Sequence, residues 1–191
     1  MAKLTKLYVF NNSLSNPYLY LSSGGVDPAT PGHHYGPGAR SGYMLHLVLS
    51  GKGTFISNGQ KYHLQAGSMF YCQPGVLVNM IADYNDPWTT MWVRFTGDYV
   101  KLLMDTVSLI DENPVFTVTQ APIVKDEIEN ILKLSHLDHT QDLDYASQLI
   151  SLINALCTTF NATKPTNSNP QKILILLSLI HISEPTRRSY I

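Results

Sequence analysis

Residues 43–72, YMLHLVLSGKGTFISNGQKYHLQAGSMFYC, decide the architecture. At their centre Asn58-Gly59 separates two β-rich runs, Phe55-Ile56-Ser57 and Lys61-Tyr62-His63-Leu64. Asn-Gly in that setting favours a type I′ turn, whose twist matches that of paired strands, so this segment is a β-hairpin. Upstream, Tyr43 to Leu49 is an apolar strand that stops at Ser50-Gly51-Lys52-Gly53, where glycine supplies positive φ. Downstream, Gln65-Ala66-Gly67 turns into Ser68-Met69-Phe70-Tyr71-Cys72, and Gln73-Pro74-Gly75 turns again. Further out, Val76 to Ala82 reads as another strand, and Asp86-Pro87 precedes the last one, Trp88 to Phe95. From Leu7 to about Phe95 this cadence of short β-rich runs predicts an antiparallel barrel or sandwich.

Beyond Gly97 the spacing becomes helical, with Tyr99, Leu102, Leu103, Thr106 and Leu109 near one face, and the β part is expected to end there. A connection through Pro114 and a short extended run, Val115 to Val118, lead to two amphipathic helices, about Ala121 to Leu134 and Leu143 to Phe160. In the second, Tyr145, Leu149, Leu152, Ile153 and Leu156 form a stripe that can bury against the first helix or against a partner subunit. Leu149, Leu152, Ile153 and Leu156 are accordingly the expected dimerisation residues. Asn161 to Pro170, with Pro165 and several Asn and Thr, has the composition of a linker.

The 44% hydrophobic content of the 191 residues suffices for a real core. Thirteen Lys plus Arg against 14 Asp plus Glu give a net charge of −1, which argues against a DNA-binding surface on this chain. Of four arginines, Arg187 and Arg188 fall near the C-terminus, leaving Arg40 and Arg94 for the folded body. Cys72 and Cys157 fit no zinc or redox spacing. With no secretory signal and no apolar run of membrane-spanning length, the expected location is the cytoplasm, with no membrane partner.

The order of elements and the wording of several stretches resemble the N-terminal half of AraC-type regulators of sugar operons, above all the multiple-sugar and raffinose-type activators. The likeness is carried by Pro31-Gly32-His33-His34-Tyr35-Gly36-Pro37-Gly38-Ala39-Arg40, by Tyr43 through Thr54, by Tyr62 through Gly67, by Pro74, and by Ala82-Asp83, Pro87-Trp88, Trp92 and Phe95. It covers roughly residues 7 to 160. The resemblance implies a mainly β fold with C-terminal α, that is, a cupin-like jelly-roll barrel followed by antiparallel helices. It also implies a small-saccharide effector, a homodimer, and a separate domain with two helix-turn-helix motifs. Residues 1–97 are then the ligand-binding barrel with an N-terminal arm, and 98–161 the helical dimerisation region. Residues 162–176 are the linker and start of the DNA-binding domain, through which alone DNA would be contacted and which is expected to be missing. Residues 177–191 resemble translated adapter sequence and are expected to be non-native.

Metal-dependent cupins need H-x-H and a glutamate before the G-x-G turn, and a further histidine after P-x-G, so that several donors converge at about 2 Å. Here Met44 stands seven residues before Gly51, and Val78 follows Gln73-Pro74-Gly75. His33 and His34 are adjacent, hence on opposite faces of a strand. No metal or other cofactor is expected, and His136 and His139, near Asp138, Asp142 and Asp144, read as a solvated helix end or loop. Cys72, Cys157 and Ser68 lack a nucleophile's surroundings, so enzyme action is not expected. The rivals are a metal-independent cupin enzyme acting on a sugar, with His46 and Tyr71 as its acid–base pair, and a stand-alone sugar-binding module.

A sugar site needs an aromatic platform for the C–H face and fork-like donors for the hydroxyls. Trp88, Thr90, Trp92 and Arg94 alternate along one strand and share a face. The resemblance to arabinose-binding regulators implies a stacking role for Trp92, polar contacts at Thr90 and Asn79, and further contacts from Gly36 to Arg40. The family's arabinose reader differs at Thr90, Asn79 and Gly36, which implies another sugar. Arg40 is either the guanidinium donor or a surface residue after a Gly-rich loop. Arg94 reads as the partner of a carboxylate, Trp88 as core, and His46 as a satisfied half-buried histidine whose strand position permits an inward role. His33 and Tyr35 shape the barrel mouth. The expected switch is an arm, residues 1 to about 16, ordered across that mouth by ligand.

Overall fold

The computed structural model describes residues 6–11, 16–107, 113–117, 121–135 and 142–161. The linker, the C-terminal tail, His136 and His139 lie outside the described residues, as do the arm's residues 1–5 and 12–15.

Among the described residues ten strands form two antiparallel sheets. In chain order they are β1 (Leu7–Phe10), β2 (Tyr20–Pro28), β3 (His34–Gly38), β4 (Tyr43–Ser50), β5 (Lys52–Ser57), β6 (Gln60–Gln65), β7 (Ser68–Cys72), β8 (Val78–Ala82), β9 (Thr89–Thr96) and β10 (Val115–Thr117). The larger sheet runs β1-β2-β9-β4-β7-β10 and the smaller β3-β8-β5-β6. Facing each other across an apolar interior, they make a cupin-like jelly-roll barrel. Asn58 (φ 50°) and Gly59 (φ 77°) form the turn between β5 and β6, both in the left-handed region that a type I′ turn requires.

The helices are α1 (Val100–Thr106), α2 (Ala121–Leu134) and α3 (Asp142–Asn161). Asp142 and Asp144 lie in the first turn of α3, where carboxylates complement the helix dipole. The helices cover the outer face of the larger sheet, which explains the near-continuous apolar run of β4, a strand buried on both faces. Leu45 and Leu47 point outward into a core shared with Met91, Val93, Ile128 and Leu149. Met44 and Val48 point inward with Phe55, Phe70 and Trp88.

Two expectations need correction. The β part does not end at Gly97: Val115–Thr117 returns to pair with Ser68–Phe70 of β7 as the sixth strand of the larger sheet. Nor is the leucine stripe of α3 a free surface. Leu149, Leu152 and Leu156 are 0% exposed and Ile153 is 1% exposed, all within the subunit's own core. The stripe buries against α2 and β2. Among the described residues no helix is long and apolar enough to cross a membrane.

Candidate functional site

The interior of the barrel holds a cavity of about 370 Å³, within the range of small-molecule sites. Antiparallel register sets out its wall from the larger sheet. Tyr8 pairs with Gly25, Gly25 with Trp92, Trp92 with His46 and His46 with Phe70, so one row crosses five strands. Ring centroids are 6.0 Å apart for Tyr8–Trp92, 6.2 Å for Trp92–His46 and 4.4 Å for His46–Phe70. Gly25, the row's one member without a side chain, lies under the Tyr8 ring, which packs across it toward Trp92. On one side of this row lie Asp27 and Thr90, and on the other Ser23 and Arg94. All four line the cavity.

The glycine is a packing requirement. A Cβ at Gly25 would meet the Leu7 carbonyl oxygen at 2.2 Å and Tyr8 Cδ1 at 2.8 Å, and a backbone atom cannot swing aside. Gly25→Ala is therefore expected to push β1 off β2, costing about 1–3 kcal/mol as an overpacked site does. Amide hydrogen exchange over Leu7–Phe10 should speed up and the melting temperature fall. Unaltered exchange there would contradict this packing.

Of the residues singled out in the sequence, Trp92, Thr90, Arg40, His33, Tyr35 and His46 line this cavity. Asn79 does not. It sits opposite Ile56 on β5, one residue from the cavity-lining Met80, and hydrogen-bonds His34 on the outside of the barrel. In a strand, one residue's offset exchanges the two faces. His33 lines the cavity while His34 faces out, the split their adjacency requires. Trp88 is 5% exposed and packs on Phe70, with ring centroids 5.8 Å apart.

His46 is neither half-buried nor satisfied. It is 5% exposed, and neither ring nitrogen has a hydrogen-bond partner. Burial, and secondarily the positive charge of Arg40, pushes its pKa down to about 3, so the imidazole is neutral at physiological pH. Tyr71, the other half of the alternative acid–base pair, belongs to the outer core and stacks on Tyr43. The two side chains lie on opposite faces of the sheet and cannot act on one substrate.

Among the described residues Arg94 has no carboxylate partner; its Nη2 donates to Ser41 Oγ at 2.8 Å. Arg40 lies over the Tyr35 ring at 4.2 Å. Among the described residues no group of three or more His, Cys, Asp or Glu side chains converges on a metal position.

Several cavity residues had no signal in the sequence. Tyr8 and Phe10 enter the wall because β1 pairs with β2, and Ser23 and Asp27 because β2 pairs with β9. The arm is thus partly built into the sheet. Lys6 meets Asp27 at 3.4 Å, and at the other end of β1 the Asn11 side chain donates to Asp142 Oδ1 at 3.0 Å, at the start of α3. β1 consequently touches both the cavity and the helices.

The sequence model of one family, described as "AraC-like ligand binding domain", matches residues 23–153. The chain is 28% identical over 143 residues to the "Lactose operon transcription activator" of Staphylococcus xylosus, covering 73% of this chain and 51% of that protein. It is 28% identical over 104 residues to the "Msm operon regulatory protein" of Streptococcus mutans serotype c, covering 54% and 37%. With the raffinose operon transcriptional regulatory protein of Pediococcus pentosaceus it shares 25% identity over 132 residues, covering 68% and 47%. The chain spans about half the length, or less, of these curated relatives.

Proposed function

Since this chain belongs to the family of AraC-like ligand binding domains, we propose that its barrel binds a small saccharide and serves as the effector sensor of a sugar-responsive transcription regulator. The observation that carries this reading is the cavity wall around Trp92: Tyr8, Trp92 and His46 form an aromatic row, and Asp27, Thr90, Ser23 and Arg94 line the rows on either side. Aromatic faces suit the C–H surface of a pyranose, and the bordering groups supply donors and acceptors for its hydroxyls. Neutral, unpartnered His46 adds a ring that can donate from one nitrogen and accept at the other. The relatives' own names connect them with the lactose and raffinose operons.

The signal would pass along β1, which carries Tyr8 at the cavity and is followed by Asn11, bonded to Asp142 at the start of α3. Saccharide that binds one arrangement of β1 more tightly shifts the helices with it. Pairing of two copies belongs to the same proposal. With the leucine stripe buried, it has to use outward residues such as Ile123 and Leu143, 46% and 69% exposed. DNA contact falls to a separate domain, and the place of action is the cytoplasm.

A thermal-shift screen of the full chain against mono-, di- and trisaccharides tests the reading. At a ligand concentration of 100 Kd a native-state ligand stabilises by about 2.7 kcal/mol, or roughly 5–10 °C for a chain of this size. The shift should vanish in Trp92→Ala. A folded protein that responds to no sugar, or whose response survives in Trp92→Ala, would remove the proposed site.

A further inference from the structure

Both arginines of the described residues, Arg40 and Arg94, line the cavity, and both lie at the same end of it. Arg94 reaches Ser41 Oγ, and a Cβ on Gly42 would stand 3.3 Å from its Nε. Arg40 is the next residue upstream, bridged to Pro74 through the backbone. Among the described residues neither guanidinium has a counter-charge, and the ion pairs seen there are made by lysines. The Nε atoms of both arginines are buried without a hydrogen-bond partner.

The cavity's own carboxylate is elsewhere. Asp27 lies four residues along β2 from Ser23, the residue paired with Arg94, which is about 13 Å at strand rise, and it faces Lys6. His46, the nearby imidazole, carries no compensating charge of either sign. Two half-buried like charges lining one cavity, with no acid beside them among the described residues, are unfavourable by themselves. Neutral hydroxyls can satisfy their N–H groups but leave the charge in place. A group with several anionic oxygens satisfies both, and charge-assisted, fork-like bonds to it are the strong kind.

We propose that the effector carries an anionic group, a phosphate ester or a carboxylate on the carbohydrate, seated between Arg40 and Arg94 while the sugar ring lies toward Trp92. This rests on the saccharide reading above, and the experiment separates the two. Isothermal titration of the full chain would compare glucose and galactose with their 6-phosphates and uronic acids, and with inorganic phosphate, at low and high ionic strength. The expected result is binding of a charged form at least about tenfold tighter than its neutral parent at low salt, with the preference weakening as salt is added. In Arg40→Gln and in Arg94→Gln the ratio of charged to neutral affinity should shrink to about twofold. Which charged series binds tells a phosphate from a carboxylate.

Equal affinity for neutral and charged sugars overturns the anion seat and leaves the saccharide reading standing. Binding of inorganic phosphate, lost in both variants, with no sugar of either kind bound, keeps the anion seat and removes the saccharide. Should either variant fail to fold, the salt dependence and the charged-to-neutral ratio of the unmodified protein decide the matter.

Discussion

Leu149→Asp is expected to abolish folding rather than to produce a folded monomer. Leu149 is 0% exposed, inside the core where α3 meets α2 and the outer face of the larger sheet. Truncation to alanine there removes packed methyl groups and should cost about 2–5 kcal/mol. Aspartate adds the penalty of an unpaired carboxylate in an apolar site, raising the total to about 5 kcal/mol or more. A domain of this kind has only about 5–15 kcal/mol in hand. Urea titration followed by near- and far-ultraviolet circular dichroism should show a lost or severely weakened cooperative transition. A cooperatively folded Leu149→Asp protein of half the native mass would instead restore α3's apolar stripe as a subunit interface.

Acid is expected to destabilise the protein through His46. Its folded-state pKa, about 3, lies below the ordinary value of 6.5, so between these values the unfolded chain binds a proton that the folded one refuses. Stability from this group is therefore complete above about pH 6.5 and is lost as pH falls toward 3. A displacement of roughly 3.5 units corresponds to about 5 kcal/mol. His46→Phe keeps an aromatic ring between Phe70 and Trp92 and removes the titration. The difference in unfolding free energy between His46→Phe and the unmodified protein should move steadily in favour of the variant from pH 6.5 to pH 4. Parallel pH profiles would mean that the imidazole is not held neutral by burial.

What the sequence made legible follows the range of the interactions concerned. The β5–β6 hairpin is written in adjacent residues, since Asn58-Gly59 and the flanking alternation carry all the information the turn needs. The same holds for α2 and α3, whose apolar spacing declares that one face of each is buried. Spacing does not say against what, and for that reason the stripe Leu149–Leu152–Ile153–Leu156 reads equally as core or as interface until β2 and α2 are placed beside it. Strand partners far apart in sequence were illegible for the same reason. Nothing around Tyr8 announces that it pairs with Gly25, and nothing around Phe116 that β10 returns to β7.

In the cavity, alternation along one strand correctly grouped Trp88, Thr90, Trp92 and Arg94 on one face, because a period of two is local. Asn79, carried over from a resemblance, landed on the wrong face by a single residue. Its neighbours on β8 alternate regularly, and which of them faces inward is set by the pairing with β5, where Asn79 stands opposite Ile56. Arginines in folded domains usually have a carboxylate partner; that Arg94 has none among the described residues depends on where the acids fall in three dimensions.

Saccharide stacked on Trp92 can be observed directly through intrinsic fluorescence, since the chain has two tryptophans in different settings. Trp88 is 5% exposed against Phe70, whereas Trp92 is partly exposed in the cavity wall. Titration with the sugar that gives the largest thermal shift should produce a saturable change in emission, with a midpoint matching calorimetry and no counterpart in Trp92→Phe. A sugar that binds by calorimetry while leaving the emission of Trp92 unchanged, or whose signal persists in Trp92→Phe, would place the ligand away from the Trp92 wall of the cavity and contradict the proposed sensor.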